Sequence, residues 1–340
     1  MKLFAFFVII TMAAAESWLP GNVYANPGNG GQAEAMETWP SYRVAGFVEQ
    51  NFTWQPGSDE PPSFSIHRAR LGVAGNVSRR ISVSIIAGAL EPPNRDPQLV
   101  NAFVDFNLHP MFRLRTGQFL VPFGLEGPEP VFLNPAIERS LTIRRMNYFR
   151  MFRDVGIQAS GSHEGVSYTI AVINGTGANI AERIDPKDIL GRFGYKASDA
   201  FSFGISFHLG KSPVPATEPD RFQLGADFTW QSSPLLLRGE YILRKDERIG
   251  ENDLNQSGGY LLAGYNLTEE LQGILRFEAH QPNADLDFSD AGLTILMAGF
   301  NYYFEKGVRV SANYEFRNDR SLAAGQKPGN LLTVQMQVVL

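Results

Sequence analysis

Val308-Arg309-Val310-Ser311-Ala312-Asn313-Tyr314-Glu315-Phe316 puts an apolar residue at every even position and a polar one at every odd position. Leu332-Thr333-Val334-Gln335-Met336-Gln337-Val338 repeats the pattern near the C-terminus. Side chains of a strand alternate between its two faces, so each segment has one greasy and one wet face, and the greasy face must be covered by protein or lipid. The same period of two recurs upstream, less cleanly, at 42–54, 64–77, 81–89, 99–108, 112–121, 154–163, 166–174, 189–197, 201–209, 221–231, 235–244, 259–267, 271–280 and 292–304. With 308–316 and 330–340 this predicts about sixteen strands.

The connections alternate in length. Short polar turns stand at Ser78-Arg79, His109-Pro110-Met111, Glu164-Gly165, Ser198-Asp199-Ala200, Ser232-Ser233-Pro234, Thr268-Glu269 and Glu305-Lys306-Gly307. Longer segments rich in Pro, Gly, Asn and Asp fill 90–98, 175–188, 210–220, 245–258, 281–291 and 317–329. An even strand count with short turns at one end and long loops at the other is the pattern of a barrel crossing an outer membrane, short turns facing the periplasm. Closure has a physical cause: in hydrocarbon every backbone N–H and C=O needs a partner within the protein, which an open sheet edge lacks. About sixteen strands enclose an aqueous lumen, whereas about eight would be filled by side chains. Aromatic residues near strand ends, among them Tyr42, Trp54, Phe193, Tyr195, Tyr241, Tyr260 and Tyr302-Tyr303-Phe304, are expected in the two interfacial girdles. The fold class is therefore all-β, a closed antiparallel transmembrane β-barrel. A secreted two-domain β-sandwich is the soluble alternative, and the Arg, Glu, Asn and Gln on the inward face count against its dry core.

Composition narrows the function. The chain has 340 residues, a net charge of -5 and no cysteine, which excludes a disulfide framework and a cysteine-ligated metal. It is not basic enough for nucleic acid to be a first expectation. The start, MKLFAFFVIITMAAAESWLPGNVYA, has a positive first turn, an apolar core and small residues before Ala25. It reads as a signal peptide over 1–25, with a second candidate cut after Ala15, followed by a periplasmic segment at 26–40 and the barrel at 41–340.

One connection is exceptional. PFGLEGPEPVFLNPAIERSLTIRRMNYFRMFR, residues 122–153, is too long and too apolar for a solvated loop, with Phe132, Leu133, Ile137, Leu141, Ile143, Met146, Tyr148, Phe149, Met151 and Phe152 all needing cover. This third long loop is expected to fold into the lumen and narrow it. From Arg113 to Arg153 there are seven arginines, no lysine and three acids, a balance of +4. Residues 154–340 balance at -7. Guanidinium groups are always charged and match oxyanions in two-pronged fashion, so a cluster of them in a narrow pore favours anions. The candidate ion-path residues are Arg68, Arg70, Arg113, Arg115, Arg139, Arg144, Arg145, Arg150 and Arg153. Strand parity sets Arg113 and Arg115 inward with Phe112 and Leu114 outward, and puts Phe64 and Ile66 on the lumen side with Arg68 and Arg70. Arg43, Arg238, Arg276 and Arg309 also have lumen parity, where acids such as Glu49, Asp105, Glu240, Glu278 and Glu315 are available to pair with them.

The runs Arg68-Ala69-Arg70-Leu71-Gly72, Thr116-Gly117-Gln118-Phe119-Leu120-Val121-Pro122-Phe123-Gly124-Leu125-Glu126, Glu138-Arg139-Ser140, Arg153-Asp154-Val155-Gly156 and Val172-Ile173-Asn174-Gly175 resemble the phosphate-selective porin O/P family. The resemblance implies a sixteen-stranded outer-membrane porin, usually a homotrimer, whose third loop enters the channel and whose arginines and lysines bind phosphate. Here the third loop carries arginine but no lysine, so the expectation is a passive channel for small anions or polar solutes, phosphate among them. A general or oligosaccharide pore is the alternative within the same fold, and an outer-membrane hydrolase is one outside it. HExxH, GxSxG and phosphate-loop motifs are absent, the five histidines lack metal-ligand spacing, and no cofactor or metal is expected.

Overall fold

The computed structural model describes residues 39–340, apart from 92–95, 183–185, 212–218, 249–251 and 321–328. The signal-peptide reading over 1–25 and nearly all of the 26–40 segment lie outside the described residues. Sixteen antiparallel strands form the wall: β1 (Ser41–Trp54), β2 (Ser63–Ser78), β3 (Ile81–Glu91), β4 (Asp96–His109), β5 (Phe112–Leu120), β6 (Arg153–His163), β7 (Val166–Ile173) and β8 (Asp188–Lys196) make one half. The other half is β9 (Phe201–Lys211), β10 (Asp220–Ser232), β11 (Leu235–Asp246), β12 (Leu254–Asn266), β13 (Leu271–Gln281), β14 (Leu293–Glu305), β15 (Val308–Asp319) and β16 (Leu331–Val339). Each strand pairs with its neighbours in sequence, and β1 pairs with β16 from Phe47 opposite Val339 to Trp54 opposite Leu332, closing the cylinder.

The alternation read from the sequence is the alternation of the wall. On β1, Val44 and Val48 are exposed on the outside, while Ala45, Phe47, Glu49 and Asn51 are buried inside. On β15 and β16, Arg309, Ser311, Asn313, Glu315, Thr333, Gln335 and Gln337 are buried on the inner face. Apolar surface outward and buried polar groups inward is the inverse of a soluble sandwich, whose middle is dry. The soluble alternative is excluded by this geometry.

Two expectations need correction. Phe64 and Ile66 do not share the lumen side with Arg68 and Arg70. The β1–β2 register shifts between Glu49, opposite Arg68, and Gln50, opposite Ile66, so His67 is an extra residue in the ladder. That bulge reverses parity: Phe64 stacks on outward Phe52 at 4.9 Å between ring centroids and is exposed, while Arg68 and Arg70 are buried inside. Tyr260 is not a girdle residue either. It sits opposite Glu240 and Glu278 on the inner wall and packs with Ala136, Leu262, Ile274, Ile295 and Met297. An aromatic residue near a strand end identifies no face by itself; the parity with Leu261, which is exposed outside, does.

Parity also sets the cost of a charge on the outer wall. Leu71 lies mid-strand, opposite Gly46 and Ala87, and is exposed outward. Leu71→Arg is expected to destabilise the barrel by about 2–4 kcal/mol, the cost of a guanidinium facing mid-bilayer lipid. Denaturant titration of the protein folded into lipid vesicles measures it.

Candidate functional site

The chain leaves β5 after Leu120 and returns at β6 with Arg153, and the residues between turn into the barrel. Gly124 makes the entry. Its φ of 76° is in the left-handed region, and a Cβ there would lie 2.1 Å from Glu240 Oε1, so a larger residue would strain the backbone and push Glu240 aside. The Gly124 and Leu125 amides then donate to Ser206 Oγ (3.0 Å) and Glu240 Oε1 (2.9 Å) on β9 and β11, far around the wall.

From there the loop tours the interior, and the wall's polar side chains satisfy its backbone. Gln337 Nε2 donates to Phe132 O (3.2 Å), Arg309 Nη1 to Asn134 O (2.9 Å), Asn301 Nδ2 to Pro135 O (2.9 Å) and Arg276 Nη1 to Glu138 O (2.8 Å). The Ile137 amide donates to Asn313 Oδ1 (2.9 Å), the Leu141 amide to Glu278, and Gln223 Nε2 donates to Met146 O (2.6 Å). This is why β9 to β16 carry Asn, Gln and Arg inside: a buried backbone segment must find partners, and where the loop's own turns do not supply them the wall's side chains do. Apolar packing adds to the hold. Ile143, Met146 and Phe149 are buried against Phe103, Ile173, Leu190 and Ile242, each burial contributing roughly 1.5–3 kcal/mol.

A short helix of six residues, α1 (Leu141–Met146), packs against β11, β12 and β13. Ser140 caps it, accepting from the Ile143 amide at 3.3 Å. Its Thr142, Ile143 and Met146 are buried against the wall, which leaves Arg144 and Arg145 exposed on the opposite side, toward the lumen.

The charges of this region separate into two groups. All three loop acids are tied down. Glu126 is buried, accepts from Asn134 Nδ2 (3.0 Å) and the Ser140 amide (2.7 Å), and lies 3.9 Å from Arg276 Nη1. Glu129 meets Arg238 Nη2 at 3.0 Å. Glu138 sits 3.2 Å from Arg68 Nη2 and 2.6 Å from Nε2 of the bulge residue His67. Burial alone would raise the Glu138 carboxyl, but Arg68, His67 and Arg144 hold it well below the usual carboxylate range. Its contribution to holding the loop is therefore complete above the ordinary carboxyl pKa and is lost only as pH falls through the lower folded value.

The nine candidate arginines divide likewise. Arg68 also pairs with Glu49 at 2.8 Å; Arg115 grips Asp105 (Nε to Oδ1, 2.7 Å) and stacks on Phe103. Arg70 lies over the Phe47 ring, and Arg113 Nε donates to Ser160 Oγ at 3.2 Å. Arg139 is buried inside the loop, donating to the carbonyls of Glu126 and Gly127, and Arg153 donates to Asn101 Oδ1 and Met151 O. Arg144, Arg145 and Arg150 make no ion pair among the described residues. The structure thus brings Arg68 and Arg144 to Glu138, while Arg139 and Arg153 act as braces of the loop.

Sequence reasoning passed over several participants. Tyr148 lies between two guanidinium groups, Arg244 at 4.0 Å and Arg221 at 4.2 Å from its ring, and donates to Asp246. Its ring also packs on buried His208, which contacts Asp188 at 2.8 Å. Arg276 and Arg309 carried the right parity but no sign that they hold the loop; the signal was the excess of inward Asn, Gln and Arg on β13 to β16.

The sequence model of the family described as phosphate-selective porin O and P matches residues 47–223 and 205–340. No protein of curated function matches the chain by sequence. Among solved structures, the anion-selective porin from Comamonas acidovorans superposes with a TM-score of 0.70 at 14% identity, covering 88% of this chain and 100% of that one. The outer membrane channel DcaP of Acinetobacter baumannii gives 0.64 at 11%, covering 88% and 97%. OmpT of Vibrio cholerae in its trimer form gives 0.64 at 11%, covering 88% and 99%. At these identities the likeness is one of fold.

Removing the Glu126 carboxylate strands the Ser140 amide and the Asn134 amide group, each a buried donor whose loss of a partner costs about 1–3 kcal/mol. Glu126→Ala is expected to loosen α1 and raise both the conductance and its fluctuation in single-channel records, while the folded barrel keeps its heat-modifiable mobility on gels. Unchanged current traces would show that the loop is held without it.

Proposed function

The chain belongs to the phosphate-selective porin O and P family, and from that premise we propose that it is a passive outer-membrane channel with a preference for anions. The single observation that carries this reading is the asymmetry of compensation in the third loop. Its three acids are each engaged by a cation, by an amide or by both, whereas Arg144, Arg145 and Arg150 form no salt bridge among the described residues, Arg144 acting on the already paired Glu138 only at longer range. A fixed excess of positive charge inside low-dielectric walls concentrates anions and repels cations. The anion-selective porin from Comamonas acidovorans has the same fold, which agrees with the reading.

Permeation needs no bond-making, and nothing in the arrangement calls for a catalytic role. The paired strand arginines (Arg68 with Glu49, Arg115 with Asp105) stiffen the wall and contribute little net field. Phosphate is one anion that fits, since a guanidinium cluster suits any small oxyanion. A homotrimer in the outer-membrane bilayer agrees with the trimer form of the Vibrio cholerae structure of like fold. The N-terminal signal peptide belongs to the same proposal, as the route of export.

Under a KCl gradient across a planar bilayer, the reversal potential is expected to report chloride over potassium. The triple substitution Arg144→Ala, Arg145→Ala, Arg150→Ala is expected to shift that potential toward zero or past it. Potassium preference in the unaltered protein would overturn the anion reading and leave the channel standing.

A further inference from the structure

At the periplasmic end the lumen wall hollows into a recess of about 630 Å³ beneath the Glu164-Gly165 turn. Its floor is set by register. Ser162 lies opposite Ser167, Ser167 opposite Gly194, Gly194 opposite Gly204, and Lys196 opposite Ser202, so four strands present only hydroxyls and bare backbone at one level, with Lys196 below. The missing side chains make room for Arg192. A Cβ on Gly204 would come within 2.3 Å of Arg192 Nη2, and one on Gly194 within 3.1 Å of Nη1, so the guanidinium lies against both glycines.

Arg192 is locked in that pose. Nε and Nη2 both donate to the Asp227 carboxylate, and Nη1 has no hydrogen-bond partner among the described residues. The other cation at this level is also compensated. Lys196 Nζ is 2.8 Å from Asp199, and Glu164 stands at the rim 3.7 Å from His163. The recess therefore has hydrogen-bonding capacity without an uncompensated positive charge, the opposite of the third loop. A small anion would find carboxylates beside every cation. A neutral solute dense in hydroxyls would find the hydroxyls of Ser162 and Ser202, that of Ser167, which already donates to Gly194 O at 3.4 Å and is left to accept, and the preoriented guanidinium Nη1. The volume lies within the ~300–1,000 Å³ typical of small-molecule sites.

We propose that this recess binds a neutral polyhydroxylated solute, a short saccharide, at the periplasmic mouth of the channel. The site is independent of anion preference and needs only an open lumen.

The test uses the full-length protein in planar bilayers, with maltotriose added to the periplasmic side and polyethylene glycol of equal size as the reference. Maltotriose is expected to reduce ion current in a saturable manner and the glycol only in proportion to its concentration. Arg192→Ala removes the free donor, and Gly194→Leu fills the recess. Each is expected to weaken the maltotriose effect about fivefold, the factor that ~1 kcal/mol makes at a partly exposed contact. Heat-modifiable mobility on gels checks that both variants fold. Equal behaviour of maltotriose and glycol, saturation that neither variant alters, or saturable block from that side by inorganic phosphate instead would each overturn the proposal.

Discussion

Everything in this molecule follows from the rule that backbone polar groups in hydrocarbon must pair with each other. Sixteen strands meet it by closing β1 on β16, and closure leaves a cylinder whose outer surface is apolar and whose inner surface is wet. The wet surface then faces a second instance of the same rule. A long segment folded into that interior brings its own amides and carbonyls, and the inward Asn301, Arg309, Asn313 and Gln337 supply their partners. The polar face that makes the barrel possible is thus also the docking surface for the loop that narrows it.

Electrostatics and packing divide the work on that loop. Its acids and two of its arginines go to holding position, through Arg276, Arg238, Arg68 and main-chain carbonyls. Its apolar residues fill the angle between β4, β5, β7, β8 and β11. What remains exposed is the cationic side of α1. A loop can present uncompensated charge to a channel only if other contacts fix it, because like charges confined together repel one another. The low carboxyl pKa of Glu138 expresses the same arrangement from the acid's side, since Arg68, His67 and Arg144 all surround it.

The wall was legible because period-two alternation is a local property, visible within any seven or eight residues. The strand ends at Val308 and Val166 coincide with those read from the pattern. Legibility failed where an extra residue intervened: nothing in Ser65-Ile66-His67-Arg68 announces a bulge, yet His67 reverses the face of everything before it. β12 begins at Leu254, earlier than alternation suggested, because Asn255, Gln256 and Ser257 precede two glycines and resemble a loop. The inward turn of the third loop was legible from its apolar content. Its anchors were not, because they join residues far apart in the chain, as with Asn313 and Ile137, and strand parity shows that a side chain points inward without showing what it meets there.

The central claim is that the arginine face of the third loop lines the path that ions take. The chain contains no cysteine, so one introduced residue can be addressed alone. Arg145→Cys, treated with membrane-impermeant charged thiosulfonates while single-channel current is recorded, tests the claim directly. The account predicts stepwise loss of current on modification, with the anionic reagent reacting faster than the cationic one. Modification that leaves the current unchanged, or a faster cationic reagent, would contradict it.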